Sequence, residues 1–383
     1  MRWVSIWALC PLVAGLWAAG LGGCTPAATP AQAAPSMAYT METIVGGLDH
    51  PWSLAFLPDG AMLVTERAGR LRLISADGKL QSQPIAGLPP VFARGQGGLL
   101  EIAIDPDFAN TRWVYLSYSA GTARANATRL ARARFTGSAL EAFQILFEVQ
   151  PKKASNAHFG GRIAFLPDGS LLLSLGEGYD YKDAAQDLAS DLGKIIRLNR
   201  DGSIPADNPF VGKPGARPEI YTYGHRNVQG LLVDPASGKI YAHEHGPKGG
   251  DELNLLRPGV NYGWPVITYG IDYTGLPISR YQKKAGMEQP LVYWVPSIAP
   301  SGMTLYSGQA FTKWRGDLFI GALAGMHVRR VDLQNGAVIG QEELFTELEE
   351  RVRDVRQAPD GSLILLTDSQ EGRVLRVRPQ AQP

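Results

Sequence analysis

One phrase recurs along this chain and restricts what it can fold into. It reads Phe56-Leu57-Pro58-Asp59-Gly60-Ala61-Met62-Leu63-Val64, then Phe165-Leu166-Pro167-Asp168-Gly169-Ser170-Leu171-Leu172-Leu173, then Ala358-Pro359-Asp360-Gly361-Ser362-Leu363-Ile364-Leu365. Each copy is strand, turn, strand. Proline fixes φ, aspartate bonds its own backbone and glycine accepts positive φ, while aliphatic residues flank the turn. Looser copies stand at Ile104-Asp105-Pro106-Asp107-Phe108 before Trp113-Val114-Tyr115-Leu116, and at Val233-Asp234-Pro235 before Lys239-Ile240-Tyr241. A degenerate copy runs from Phe311 to Ile320 with Gly316-Asp317 as its turn. Six copies spaced by roughly 45 to 80 residues match the period of propeller blades carrying long inserted loops. The expected fold is therefore all-β, a six-bladed β-propeller over residues 38–380. An orphan strand, Tyr39 to Val45, precedes the first phrase, and the last blade has room for only about three strands before Arg378. Pairing of the two ends would close the ring and remove its exposed edges. An open β-solenoid or a pair of sandwiches would use similar turns. Glu342 to Arg351 carries some helical spacing in Leu344, Phe345 and Leu348, over a length that suits a loop equally.

Composition agrees with many short strands. The 44 glycines and 27 prolines are spread along the 383 residues, and a hydrophobic share of 45% supplies a sizeable core. Lys plus Arg number 37 against 36 Asp plus Glu. A net charge of +1 lacks the field that non-specific phosphate binding requires, so nucleic acid is not an expected partner.

The first residues read as an export signal. Arg2 precedes an apolar run from Trp3 to Leu21, which ends at Leu21-Gly22-Gly23-Cys24. That tetrapeptide resembles a bacterial lipobox, making residues 1–23 a lipoprotein-type signal peptide and 24–37 a flexible tether rich in Pro, Ala and Thr. The protein is then expected in the periplasm, lipid-anchored to a membrane through Cys24. The alternative is cleavage near Gln32-Ala33-Ala34, which gives a free periplasmic form. Of the two cysteines, Cys10 lies inside the signal, so no disulfide is expected.

Chemistry-bearing residues gather in the long segments between repeats, which in propellers meet at one end of the central channel. The segments are Gly95-Gln96-Gly97-Gly98, Asn156-Ala157-His158-Phe159-Gly160-Gly161-Arg162, Gly224-His225-Arg226-Asn227, Glu244-His245-Gly246-Pro247, Asp251-Glu252-Leu253-Asn254, Asn261-Tyr262-Gly263-Trp264-Pro265 and Arg351-Val352-Arg353-Asp354. Their order and spacing resemble those of the soluble glucose and aldose sugar dehydrogenases that depend on pyrroloquinoline quinone (PQQ). The resemblance covers essentially all of residues 40–378. Gly-His-Arg-Asn alone is a common loop sequence, and the motifs together are specific.

The resemblance implies PQQ and Ca²⁺ as cofactors and an aldose sugar as substrate, with an electron acceptor that the sequence does not name. PQQ is a planar ortho-quinone with three carboxylates, and a pocket for it needs guanidiniums and amides. Gln96, Arg226, Asn227, Arg351 and Arg353 match such positions. The Arg-Val-Arg spacing in a strand would aim both guanidiniums to one face. Gly246 and Pro247 match carbonyl ligands of the catalytic Ca²⁺, and Glu252 and Tyr262 a further calcium position. His158 matches the general base, which would take the anomeric hydroxyl's proton while C1 is oxidised to the lactone.

Other residues carry weaker expectations. His225 is expected to orient its neighbours. His243 and His245 have the spacing of a zinc pair, although their segment matches one whose ligands are carbonyls. His50 and His327 are expected at the surface or in packing. Trp52, Trp264 and Trp294 suit either sugar stacking or blade cores. Two departures, Ala157 where the glucose-oxidising branch has Asp and Gly321–His327 where it has a cofactor-contacting Lys, move the resemblance towards the broader aldose sugar dehydrogenases. The competing functions are a sugar- or protein-binding propeller without enzymatic activity and a calcium-dependent lactonase.

Overall fold

A computed structural model describes residues 37–380, and the expected signal peptide and Cys24 lie outside them. Six antiparallel sheets follow one another along the chain. The first blade has only three strands, Pro51–Phe56, Met62–Glu66 and Arg70–Ile74. The second has Leu99–Ile104, Trp113–Thr122, Ala125–Phe135 and Leu140–Glu148, and the third Ile163–Phe165, Leu171–Ser174, Lys194–Leu198 and Ile220–Tyr223. The fourth has Val228–Val233, Ile240–Glu244, Asp251–Leu256 and Val292–Trp294, and the fifth Pro300–Leu305, Leu318–Ala322, His327–Gln334 and Ala337–Leu344. The sixth takes Val352–Gln357, Leu363–Thr367 and Gly372–Pro379, and Tyr39–Leu48 from the other end of the chain completes it. That closure runs antiparallel from Tyr39 opposite Pro379 to Leu48 opposite Gly372, with register shifts between Thr43 and Val45 and between Val45 and Leu48. The fold is the six-bladed propeller expected, closed by its two ends.

Every phrase joins the innermost strand of a blade to the second. In the three full copies the glycine sits at φ +86, +86 and +80. The aspartate accepts the N–H two residues on, at 3.0, 2.8 and 3.0 Å from Ala61, Ser170 and Ser362. The same local chemistry thus makes the same turn three times.

Interblade packing explains the near-continuous aliphatic runs. Successive side chains of a strand point to opposite faces, and a blade is covered on both by its neighbours. Leu363 and Leu365 pack towards the fifth blade, whereas Ile364 and Leu366 pack towards the first. Leu171 and Leu173 likewise face the second blade while Leu172 faces the fourth. Six interblade cores result, the last between the sixth blade and the first, so no blade has an apolar face without a partner. The segment 342–351 is not a helix. It is the end of a strand and one 3₁₀ turn, Thr346–Leu348, in which Phe345 and Leu348 pack against the fifth-to-sixth core.

Among the described residues no helix is long and apolar enough to cross a membrane.

Candidate active site

The innermost strands surround a channel that is sealed by charge. Arg162 is 2% exposed and donates to Glu101 at 2.8 Å, lies 3.4 Å from Asp354, and gives its Nε–H to the Gln229 carbonyl at 2.7 Å. Arg356 donates to Asp354 at 2.8 Å and also to Glu101. Two guanidiniums and two carboxylates from three blades balance each other there, a condition for keeping charge buried. The Arg162 guanidinium also lies 4.0 Å from the Trp52 ring centre.

Trp52 belongs to the lining of a central cavity of about 590 Å³, with His50, Arg67, Gln96, Leu100, Phe159, Gln229, His245, Arg351, Arg353 and Asp368. Arg351 and Arg353 do converge, as the strand spacing predicts. Their Nη2 atoms donate to the same Asp368 oxygen at 3.1 and 2.9 Å. Burial pushes the Asp368 carboxyl up, but the two guanidiniums outweigh it and hold the group below its usual range. The Nε of Arg353 is buried with no partner in the protein. Three guanidiniums and the Gln96 amide against one carboxylate leave the lining with an excess of positive charge and donors.

His158 lies behind this lining, 3% exposed. It holds a left-handed φ of +51, which is unusual for a non-glycine residue and must be enforced by its surroundings. Three contacts enforce it. Its N–H donates to Gln96 Oε1 at 2.8 Å, and the buried Lys153 ammonium donates to its carbonyl at 3.0 Å and to that of Ala157. The third is the pairing of its Nδ1 with Glu177 Oε1 at 3.1 Å. Burial, with Arg226 and Lys153 nearby, pushes the His158 pKa well below its usual value, so the ring is neutral. With Nδ1–H given to Glu177, the lone pair of Nε2 is left to accept a proton.

Arg226 and Asn227 are 4% and 1% exposed and belong to the same construction. Asn227 Oδ1 accepts the Gly160 N–H at 3.2 Å, and the Arg226 carbonyl accepts the Glu177 N–H at 2.9 Å. Arg226 Nη1 donates to the Gly246 carbonyl at 2.7 Å. That carbonyl thus already faces a cation, and its second lone pair is available for another ligand. Arg226, Pro247 and Glu177 also line a smaller cavity of about 220 Å³ beside His158.

Glu252 and Tyr262, the residues expected at a further calcium position, have separate side-chain partners. The Tyr262 hydroxyl donates to the Leu255 carbonyl at 2.9 Å and accepts the Arg257 N–H at 2.9 Å, while its ring stacks on His225 with centres 4.9 Å apart. Glu252 is pushed up to about 8 by burial and then by the nearby Glu244 carboxylate, a state that a cation would relieve. Among the described residues no three His, Cys, Asp or Glu side chains cluster to hold a metal.

The remaining expectations divide. His225 does orient: its Nδ1 pairs with Glu244 at 2.8 Å, and Glu244 also accepts the Arg226 N–H. His243 and His245 make no zinc pair, because His245 Nε2 bonds the Pro300 carbonyl at 2.7 Å and His243 is buried with neither ring nitrogen bonded. His50 is no bystander but lines the central cavity, paired with Asp49 at 2.7 Å. Trp294 ties the fourth blade to the fifth, donating to Gln341 at 2.7 Å, whereas Trp52 and Trp264 each line a cavity. Glu177, Lys153, Asp368 and Arg67 are site residues that sequence reasoning missed. Only Gly-Glu-Gly at 176–178, straight after a strand, hinted at one of them.

A propeller whose inner rim carries a cationic cavity against a buried neutral histidine defines the class. Residues 48–376 match the family model described as Glucose / Sorbosone dehydrogenase, and the chain belongs to that family. It is 44% identical over 354 residues to "Aldose sugar dehydrogenase YliI" of Escherichia coli, covering 91% of this chain and 95% of that one. It is 30% identical over 332 residues to "Quinoprotein glucose dehydrogenase B" of Acinetobacter calcoaceticus, covering 78% of this chain and 67% of that one. The solved PQQ-bound aldose sugar dehydrogenase of Streptomyces coelicolor superposes with a TM-score of 0.73 at 32% identity, over 90% of this chain and all of that one.

Proposed function

We propose that the chain oxidises aldose sugars at C1 to the lactone, using PQQ and Ca²⁺. The observation that carries this reading is the pairing of a guanidinium-lined cavity with a buried, neutral His158 whose Nδ1 is tied to Glu177. Arg351, Arg353 and Gln96 would hold the cofactor's carboxylates and ring edge, and the unpartnered Nε of Arg353 gives one donor for that purpose. Arg226 and Asn227 would border the quinone side. The Gly246 and Pro247 carbonyls would hold Ca²⁺, since neutral oxygen donors suit a hard cation, and Glu252 would hold a further ion. When bound, PQQ supplies the two-electron sink for hydride from C1, and Ca²⁺ polarises its quinone oxygen. His158 Nε2 takes the proton of the anomeric hydroxyl, and Glu177 stabilises the imidazolium that forms.

Two relatives, one named a quinoprotein and one solved with PQQ bound, support the cofactor assignment. Export to the periplasm and an acylated Cys24 belong to the same reading, and membrane fractionation of the full chain reads them directly.

Reduction of a dye by the purified protein, across a panel of aldoses, tests the function. Activity should require PQQ and Ca²⁺ together, and exhaustive chelation should abolish it until both are returned. Full activity in protein shown by elemental analysis to lack calcium would remove the metal from the account. Sugar binding without oxidation under all conditions would favour the non-enzymatic propeller.

A further inference from the structure

One histidine on the lining of the central cavity has no task in any step above. His50 holds a left-handed φ of +48, as His158 does at +51. Such a backbone in a non-glycine residue persists only where its neighbours impose it. Two bonds do so. The His50 N–H donates to the Ser369 carbonyl at 2.7 Å, and the His50 carbonyl accepts the Arg67 N–H at 3.1 Å. His50 is thereby pinned between Arg67 and the residue that follows Asp368, within the cationic part of the lining.

The side chain is set as firmly as the backbone. Its Nδ1 pairs with Asp49 Oδ1 at 2.7 Å, and Asp49 Oδ2 accepts from Arg70 Nη2 at 3.0 Å. Behind them Glu66, 0% exposed, accepts the Asp49 N–H at 2.8 Å and the Arg70 Nε–H at 2.6 Å. The bond from His50 is the main cause that holds the Asp49 carboxyl below its usual range, so Asp49 is a carboxylate and Nδ1 carries the hydrogen. Nε2, with no bond to any described residue, is the ring atom left for the cavity. The other charged or titratable groups of the lining have fixed states. Arg67, Arg351 and Arg353 stay cationic, the two guanidiniums hold Asp368 ionised, and burial pushes His245 down to about 3, which keeps it neutral.

We infer that His50 is the adjustable cation of this lining: it takes up a proton as an anionic cofactor enters, and its Nε2–H then donates to a carboxylate of that cofactor. This rests on the PQQ reading above. Asp49 offsets the charge of the imidazolium that forms, and solvent supplies the proton, since the His50 side chain is 27% exposed. The gain in affinity is complete where the free imidazole is already protonated, and it is lost as pH rises past the point at which the bound one releases its proton.

Isothermal titration of PQQ into the calcium-supplemented full chain, at one pH just above neutral and in two buffers of different ionisation enthalpy, counts the protons taken up per PQQ bound. His50→Gln keeps a side-chain N–H without the charge. It should bind PQQ about tenfold more weakly and take up as much as about one proton fewer than the wild type. His50→Lys, a fixed cation, should regain the affinity while keeping the lower uptake. Equal proton uptake in the wild type and either variant, or a Lys variant that binds as weakly as the Gln variant, overturns the role of His50 and leaves the PQQ site standing. A wild type that binds no PQQ overturns the PQQ reading and this inference with it.

Discussion

His158→Ala is expected to lower aldose oxidation by roughly 10² to 10⁴-fold, the worth of a positioned acid–base group, while PQQ still binds. The separation follows from geometry. The donors that face the central cavity are Arg351, Arg353, Arg67 and Gln96, and His158 stands behind them with its backbone N–H on Gln96. The acid limb of the wild-type rate is expected from Glu177 and not from the imidazole. Burial pushes Glu177 up to about 7, whereas His158 is held well below its usual value and stays neutral. Above about pH 7 the carboxylate accepts Nδ1–H and Nε2 is free to act as base. As pH falls through 7, Glu177 gains a proton, ceases to fix that tautomer, and the rate declines. Glu177→Gln should remove this limb. An unchanged turnover in His158→Ala would take the residue out of the mechanism.

Loss of Arg162 should be the most damaging change to stability. Arg162→Met leaves Glu101 and Asp354, 2% and 0% exposed, with Arg356 as their remaining cation. One surplus negative charge is then buried in the channel, and breaking a buried pair in this way costs about 3–5 kcal/mol. The unfolding midpoint in denaturant should fall accordingly. Adding Glu101→Gln to Arg162→Met should recover part of the loss by removing the surplus charge, so the two changes are non-additive. A single variant within about 1 kcal/mol of the wild type would show that water or rearrangement relieves the charge, and that the channel is not sealed as described.

What the sequence made legible was local or cooperative. The Pro-Asp-Gly phrase sets a turn from four or five adjacent residues, and all six copies fall between the first and second strands of their blades. Closure could be anticipated because Tyr39 to Val45 and the short last blade each lacked a partner. Arg351 and Arg353 could be paired because a strand repeats every two residues. Their common partner could not, since Asp368 reaches them from the end of the neighbouring strand. The seal of the channel was equally hidden, because Glu101, Arg162 and Asp354 are brought together only by closing the ring. Lys153 gave no sign, since its use is to hold two backbone carbonyls that no motif records. Tyr262 shows how little a motif says about a side chain's own bonds. Its segment matches a calcium motif, but the phenol is already committed to Leu255 and Arg257.

The central claim is that the guanidinium-lined cavity is a PQQ site, and equilibrium titration of PQQ into the metal-supplemented protein measures it most directly. One PQQ per chain is expected. Arg353→Ala should weaken binding by roughly tenfold or more, because it removes a charge-assisted donor from a buried site and leaves Asp368 with Arg351 alone. Saturable binding of one PQQ, weakened in the variant, is the predicted result. No PQQ binding by the wild type, or the same affinity in both proteins, would contradict it.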